Sequence, residues 1–327
     1  MPSPELNKIH TQLIASILSG SLWVLARLPG PARRGFVWLI GAAYAGLARS
    51  ARQVVVTNIS HIEDGLKQRG VDISSRDQFA TDNLRATASL IPETALCWRG
   101  PTNAWRALID TVHGDEAQAV LRQARLQTAG SNQSNQRESQ RVLLLSPHLG
   151  NWELLNMYLG AEFGLTVLYD PPKIDALEPL IRRARQQTQS TLLPIGPAGL
   201  REMVRRLRRG AVVGMLPDQV PGRQAGVLAE FFGKQALTIN LVHRLVERHQ
   251  PRVFLVCALR KESGQFDIHF DELTQDLTGV SETEAARAMN QAIEHRISQA
   301  PEQYQWSYKR FKRVDVGADN IYRSSGL

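Results

Sequence analysis

The most constraining feature of this chain is a run of short apolar stretches in its second half. They fall at residues 141–146 (RVLLLS), 165–169, 191–195, 211–216 and 252–259. Each is too short for a helix of ordinary length and too uniformly apolar for a strand with one wet face. That is the pattern of strands buried on both faces of a parallel sheet. Helical segments at 152–159, 177–187 and 200–209 separate several of them. Alternation of this kind predicts an α/β fold with a mostly parallel central sheet flanked by helices. Residues 266–270 alternate in polarity and predict an antiparallel edge strand. Ser281 and Glu284 have the spacing of a capping box, which predicts a helix running to about residue 298.

The first half reads differently. From Arg52 to about Arg125 the apolar spacing is helical, clearest at 76–90 and 116–126. Residues 127–140 (QTAGSNQSNQRESQ) hold no aromatic or β-branched apolar side chain and predict a flexible surface loop. Two uncharged runs occupy 11–26 and 35–48, separated by Pro29-Gly30-Pro31 and bracketed by Lys8, Arg27, Arg33, Arg34, Arg49 and Arg52. A spanning helix needs about 20 apolar residues. Both runs are shorter, so they fit helices embedded in one leaflet, with arginines on lipid phosphates, or a pair of ordinary core helices. The organisation expected is an apolar, membrane-associated segment at 1–50 followed by an α/β domain at 51–327.

Charge narrows the partners. Lys plus Arg number 39 against 31 Asp plus Glu, a net charge of +8. Residues 173–210 alone hold nine basic and three acidic residues. Such an excess calls for an acidic partner: nucleic acid, an anionic membrane, a phosphorylated substrate or an acidic protein. The arginine-rich helix at 200–209 has no interleaved aromatics and no nucleic-acid reader motif, so nucleic acid is not expected. Cys97 and Cys257 are the only cysteines. Each lies in an apolar stretch and reads as a small buried hydrophobe, which excludes a disulfide scaffold or a cysteine-built zinc site.

Of the eight histidines, His148 has the most informative setting, in SPHLGNWE at 146–153. A strand ends near Ser146, Gly150 permits a sharp turn, and Asn151 is a good N-cap for the next helix. His148 therefore lies at the carboxyl end of a strand, where open α/β sheets place their sites. Five residues apart on a regular helix, His148 and Glu153 would diverge by about 140°. With His148 on the turn, they can approach. A carboxylate beside imidazole sets its tautomer and stabilises the imidazolium, which suits general-base activation of a hydroxyl. A surface histidine beside a helix N-terminus fits the same residues. No G-x-S-x-G, Walker A, G-x-G-x-x-G or H-E-x-x-H motif is present.

The chain resembles the lipid A biosynthesis acyltransferases, the late lauroyl- and myristoyl-transferases of Gram-negative inner membranes. The resemblance rests on an ordered series over about 50–325: HLGNWE at 148–153, LYDPPK at 168–173, and an arginine-bearing helix that includes Arg185. LPDQVP at 216–221, FFG at 231–233 with Thr238, and PEQYQW at 301–306 with RFK at 310–312 complete it. It implies a glycerolipid-acyltransferase-like fold anchored at the cytoplasmic face of the cell inner membrane. It also implies transfer of a fatty acyl chain from acyl carrier protein to a hydroxyl of a lipid A precursor, without a covalent acyl-enzyme, metal or cofactor.

By that resemblance His148 is the general base, Glu153 orients and charge-balances it, and Arg185 contacts the thioester oxygen or a phosphate. Asn151, Lys173, Asp218, Gln219, Phe232 and Arg310 are the implied substrate-binding positions, with Phe232 on the acyl-chain wall. Three features depart from the family's pattern. Asp170 stands where arginine is common, Asn240 and Leu241 where glycine is usual, and 127–140 looks inserted. A glycerophospholipid or other glycolipid acceptor is the near alternative. A non-catalytic peripheral membrane protein is the more distant one.

Overall fold

The computed structural model describes residues 4–129, 140–172, 178–314 and 321–322. Four helices come first: α1 (Pro4–Arg27), α2 (Gly30–Leu47), α3 (Arg49–Gln68) and α4 (Arg76–Arg99). Then follow β1 (Ile109–His113), α5 (Asp115–Ala129), β2 (Val142–Leu145), α6 (Trp152–Phe163), β3 (Thr166–Tyr169), α7 (Glu178–Gln186) and β4 (Thr191–Pro194). Next are α8 (Pro197–Arg208), β5 (Val212–Met215), β6 (Gly226–Phe231), β7 (Lys234–Ile239), α9 (Leu241–His249), β8 (Arg252–Arg260) and β9 (Phe266–Glu272). The one-turn α10 (Thr274–Leu277) and α11 (Glu282–Gln299) complete the set.

Seven strands form one sheet in the order β1-β9-β8-β2-β5-β3-β4. Only the β8–β9 pair is antiparallel. The five apolar runs are β2, β3, β4, β5 and β8, and the alternation of residues sorts them onto two helical layers. Leu143, Leu145, Val213, Val253, Leu255 and Cys257 join one core with α3, α8, α9 and α11. Val142, Leu144, Val212, Phe254, Val256 and Ala258 join the other with α5 and α6. Every residue of β2 is buried, as two apolar layers demand. The two cysteines are free and buried. The capping box forms as expected: Ser281 Oγ accepts from Glu284 N at 3.3 Å and Ser281 N donates to Glu284 Oε2 at 2.9 Å.

Three expectations are corrected. The stretch read as helical to Arg125 is broken by β1, whose five residues pair in parallel with β9. In consequence β9 is not an edge strand; β1 covers it. The FFG stretch, for which no element was expected, is a hairpin turn: Phe232 (φ 50°) and Gly233 (φ 73°) join β6 to β7 with Phe231 opposite Lys234. Two successive positive φ values are what a two-residue hairpin with the strands' own twist requires. Of the loop expected at 127–140, residues 127–129 end α5 and 130–139 lie outside the described residues.

The N-terminal runs are helical, as expected. Both helices pack on α4, where Leu25 and Ala26 bury against Ala95, with Leu22 and Phe36 alongside. Among the described residues no helix is both long and apolar enough to cross a membrane. The segment after α11 is strapped across the sheet by two buried asparagines. Asn58 Nδ2 donates to the carbonyls of Trp306 (2.7 Å) and Tyr308 (2.9 Å). Asn83 Nδ2 donates to those of Glu302 (2.8 Å) and Tyr304 (2.7 Å). This strap carries the C-terminal motif to the carboxyl ends of β2 and β5.

Candidate active site

The loop between β2 and α6 is held on three sides. Asn151 N donates to Ala258 O at 2.9 Å, Gly150 N to Gln303 O at 3.1 Å, and Gln305 N to His148 O at 3.0 Å. Gly150 sits at φ +65°, and a Cβ there would lie 1.9 Å from Ala258 O, so only glycine allows this approach to β8. Asn151 caps α6: its Oδ1 accepts from Leu154 N at 2.9 Å. Its Nδ2 donates to Glu93 Oε2 at 2.9 Å, and Glu93 is paired with Arg260 at 2.8 Å. The residue is 1% exposed. Asn151, expected at substrate, is therefore occupied in building the loop.

His148 is turned into the sheet's carboxyl end, with 7% of its surface exposed. Its partner is Asp218, on the loop after β5. The His148 Nδ1 to Asp218 Oδ1 distance is 2.9 Å, and Asp218 Oδ2 accepts from His148 N at 2.8 Å. β5 lies directly beside β2 in the sheet, so the two strand-end loops meet. An ionised carboxylate only accepts, so Nδ1 carries the proton and the neutral ring's lone pair is on Nε2. Gln219 Nε2, on an exposed side chain, lies 3.2 Å from that nitrogen. Trp152 packs edge-on to the imidazole at 5.5 Å between centroids.

The electrostatics follow. Burial works against a charged imidazole, but the Asp218 charge and hydrogen bond outweigh it and raise the His148 pKa above its ordinary value. Burial likewise works against an ionised Asp218. The charge and hydrogen bonds of His148, with the nearby Arg310 charge, hold its pKa below the ordinary carboxylate value. The Tyr304 hydroxyl lies beside Asp218, and burial with that negative charge keeps the phenol protonated.

Glu153 has other partners than those expected. In the first turn of α6, it pairs with Arg185 of α7 and accepts from Trp98 Nε1 at 2.9 Å. Arg185 also stacks its guanidinium over Tyr169, 5.2 Å from the ring centroid. Among the described residues, then, the carboxylate on His148 is Asp218, and Glu153 and Arg185 form a second pair.

Arg310 and Phe232 are both buried. Arg310, 1% exposed, donates to Leu237 O at 2.8 Å and Thr238 Oγ1 at 2.9 Å. Its charge acts on Asp218. Phe232, 1% exposed, packs against Phe231 and Trp306 in an aromatic core, and its N–H donates to Glu294 Oε1 at 2.7 Å. Lys173 lies outside the described residues.

Sequence reasoning singled out Asp218 but not its pairing with His148, and it passed over Trp98 and Trp152. The missing signal was strand order. Nothing local to residues 216–221 says that β5 runs next to β2.

Comparison with known proteins identifies the family. The profile of the bacterial lipid A biosynthesis acyltransferase family matches residues 3–313. The chain is 26% identical over 306 residues to the lipid A biosynthesis palmitoleoyltransferase of Escherichia coli K12, covering 93% of this chain and 92% of that one. It is 23% identical over 312 residues to the lauroyltransferase of the same organism, again 93% and 92%. It is 25% identical over 130 residues to the myristoyltransferase, 39% and 40%. With a family match over nearly its whole length, this chain is an acyltransferase that belongs to the bacterial lipid A biosynthesis acyltransferase family.

Proposed function

We propose that the chain moves a fatty acyl group from the thioester of acyl carrier protein to a hydroxyl of a lipid A precursor, with His148 as general base. The observation that carries this reading is the buried His148–Asp218 pair at 2.9 Å, whose second nitrogen faces the exposed Gln219 amide.

The acceptor hydroxyl takes the place of that amide and gives its proton to Nε2 as its oxygen attacks the thioester carbonyl. Asp218 stabilises the imidazolium so formed. The tetrahedral intermediate collapses with loss of the carrier's thiolate, which takes the proton back from Nε2. Glu153 holds Arg185, whose guanidinium has an N–H left over to meet the thioester oxygen. The acidic carrier suits the basic surface of α7 and α8, although Arg205 and Arg206 are partly neutralised by Glu202.

The site of action in this reading is the cytoplasmic face of the inner membrane. Support comes from apolar side chains that α1 and α2 leave exposed, Ile17, Val24, Leu39 and Leu47, the last with 83% of its surface open. Such a surface is stabilised by burial in acyl chains. The test is turnover of labelled acyl carrier protein with a lipid A precursor in vesicles containing the protein. Wild-type turnover by His148→Ala would sink the assignment, as would wild-type turnover only with glycerophospholipid acceptors.

A further inference from the structure

A cavity of about 260 Å³ opens where α1, α4 and α7 meet. Its walls bring Trp23 and Arg27 from α1, Trp98 and Arg99 from α4, and Arg183 from α7 into one space. No described carboxylate lines it. The neighbouring Arg182 and Arg185 are paired with Glu178 and Glu153, but Arg27, Arg99 and Arg183 form no ion pair among the described residues. Arg27 is held in place: its Nη1 donates to Trp23 O at 3.3 Å and Arg99 O at 3.2 Å, and its guanidinium stacks 4.0 Å from the Trp23 ring centroid. Arg99 Nε is buried without a hydrogen-bond partner among the described residues. Three guanidiniums converging on one space without an acidic partner make a strongly positive site, and a buried donor left unpaired is costly.

We propose that this cavity binds the phosphate monoester of a lipid headgroup. A monoester carries close to two negative charges at neutral pH and three oxygens that accept charge-assisted bonds from arginine, whereas a phosphodiester carries one charge. The two indoles supply flat apolar walls of the kind that a sugar ring stacks on. The position also relates the cavity to the reaction. Trp98 lines it and donates its N–H to Glu153, so a bound phosphate lies one indole away from the Glu153–Arg185 pair. Binding of the phosphate stands on the cavity alone. That the acceptor lipid supplies it rests on the acyl-transfer reading.

The test starts with the purified full chain, titrated with glucose 1-phosphate and followed by tryptophan fluorescence, with glucose as the neutral control. The expected result is a saturable change with the phosphate only. Its midpoint rises about tenfold or more in Arg27→Gln/Arg183→Gln, the loss of charge-assisted bonds, and stays put in Arg205→Gln/Arg208→Gln, an equal charge change on α8. A flat wild-type titration, or the same midpoint in the double variant, overturns the proposal.

Turnover then assigns the source. If the acceptor supplies the phosphate, the double variant raises its KM about tenfold with kcat within about twofold. Phosphatase treatment of the acceptor gives the same rise in wild type and none in the variant. If a membrane lipid supplies it, KM holds, and the variant instead loses affinity for phosphatidic acid vesicles over phosphatidylcholine ones. The absence of both changes overturns a lipid headgroup as the ligand. Normal glucose 1-phosphate binding with no acyl transfer to any acceptor would reject the proposed reaction while leaving the site.

Discussion

Asp218 holds His148 from two sides, accepting from its backbone N–H at 2.8 Å and from its ring Nδ1 at 2.9 Å. One carboxylate thereby sets both the position of the loop and the tautomer of the imidazole.

Asp218→Asn keeps the shape but removes the charge and can present its amide to Nδ1, favouring the wrong tautomer. We expect kcat/KM to fall by about 10²–10⁴, with an unchanged circular dichroism spectrum. A fall of less than tenfold would remove Asp218 from the mechanism.

The pH profile carries a sign. A general base must be neutral, so kcat/KM declines as pH falls through the His148 pKa. Asp218 raises that pKa. The acid limb of the wild type is therefore expected above the ordinary 6.5, and in Asp218→Asn the residual activity has its acid limb at lower pH. A limb that stays in place contradicts the coupling.

Stability has its own pH dependence through the same pair. The His148 pKa is raised on folding, so its contribution is complete below the unfolded value of 6.5 and is lost as pH rises through the folded value. The Tm difference between wild type and His148→Gln is expected to be larger at pH 5.5 than at pH 8.5, measured by calorimetry at roughly those two pH values.

Glu153 and Arg185 are expected to act as a unit. Glu153→Ala leaves a part-buried guanidinium unpaired and lowers stability by about 2–4 kcal/mol. In a double-mutant cycle with Arg185→Ala, the kcat/KM effects are expected to couple by on the order of 1–2 kcal/mol. Additive effects would mean that the two side chains serve separate ends.

Arg310 separates a structural role from a substrate contact. Arg310→Met removes bonds to Leu237 O and Thr238 Oγ1 and a charge near Asp218. Denaturant unfolding is expected to show a loss of about 2–4 kcal/mol, with acceptor KM within about twofold. A large KM rise at unchanged stability would put Arg310 back at the substrate.

Read alone, the sequence determined the α/β class, the five apolar strands, the turn carrying His148, the cap at Asn151 and the capping box at Ser281. Each depends on a handful of neighbouring residues: apolar runs, a glycine, a side chain that accepts from a nearby N–H. The hairpin at Phe232 and strand β1 were not legible. Phe232 is a poor residue for a left-handed turn by local rules, and β1 is a largely exposed edge strand with no apolar run, held by its pairing with β9.

Only the tertiary structure decided which carboxylate serves His148. Glu153 is near it in the chain, but its place on α6 turns it toward Arg185 and Trp98. Asp218 is seventy residues away and becomes adjacent because β5 pairs with β2. Strand order arises from the packing of whole layers of helices on both sheet faces. No short stretch of sequence encodes it, which is why the motifs of this chain were readable one by one while their pairing was not.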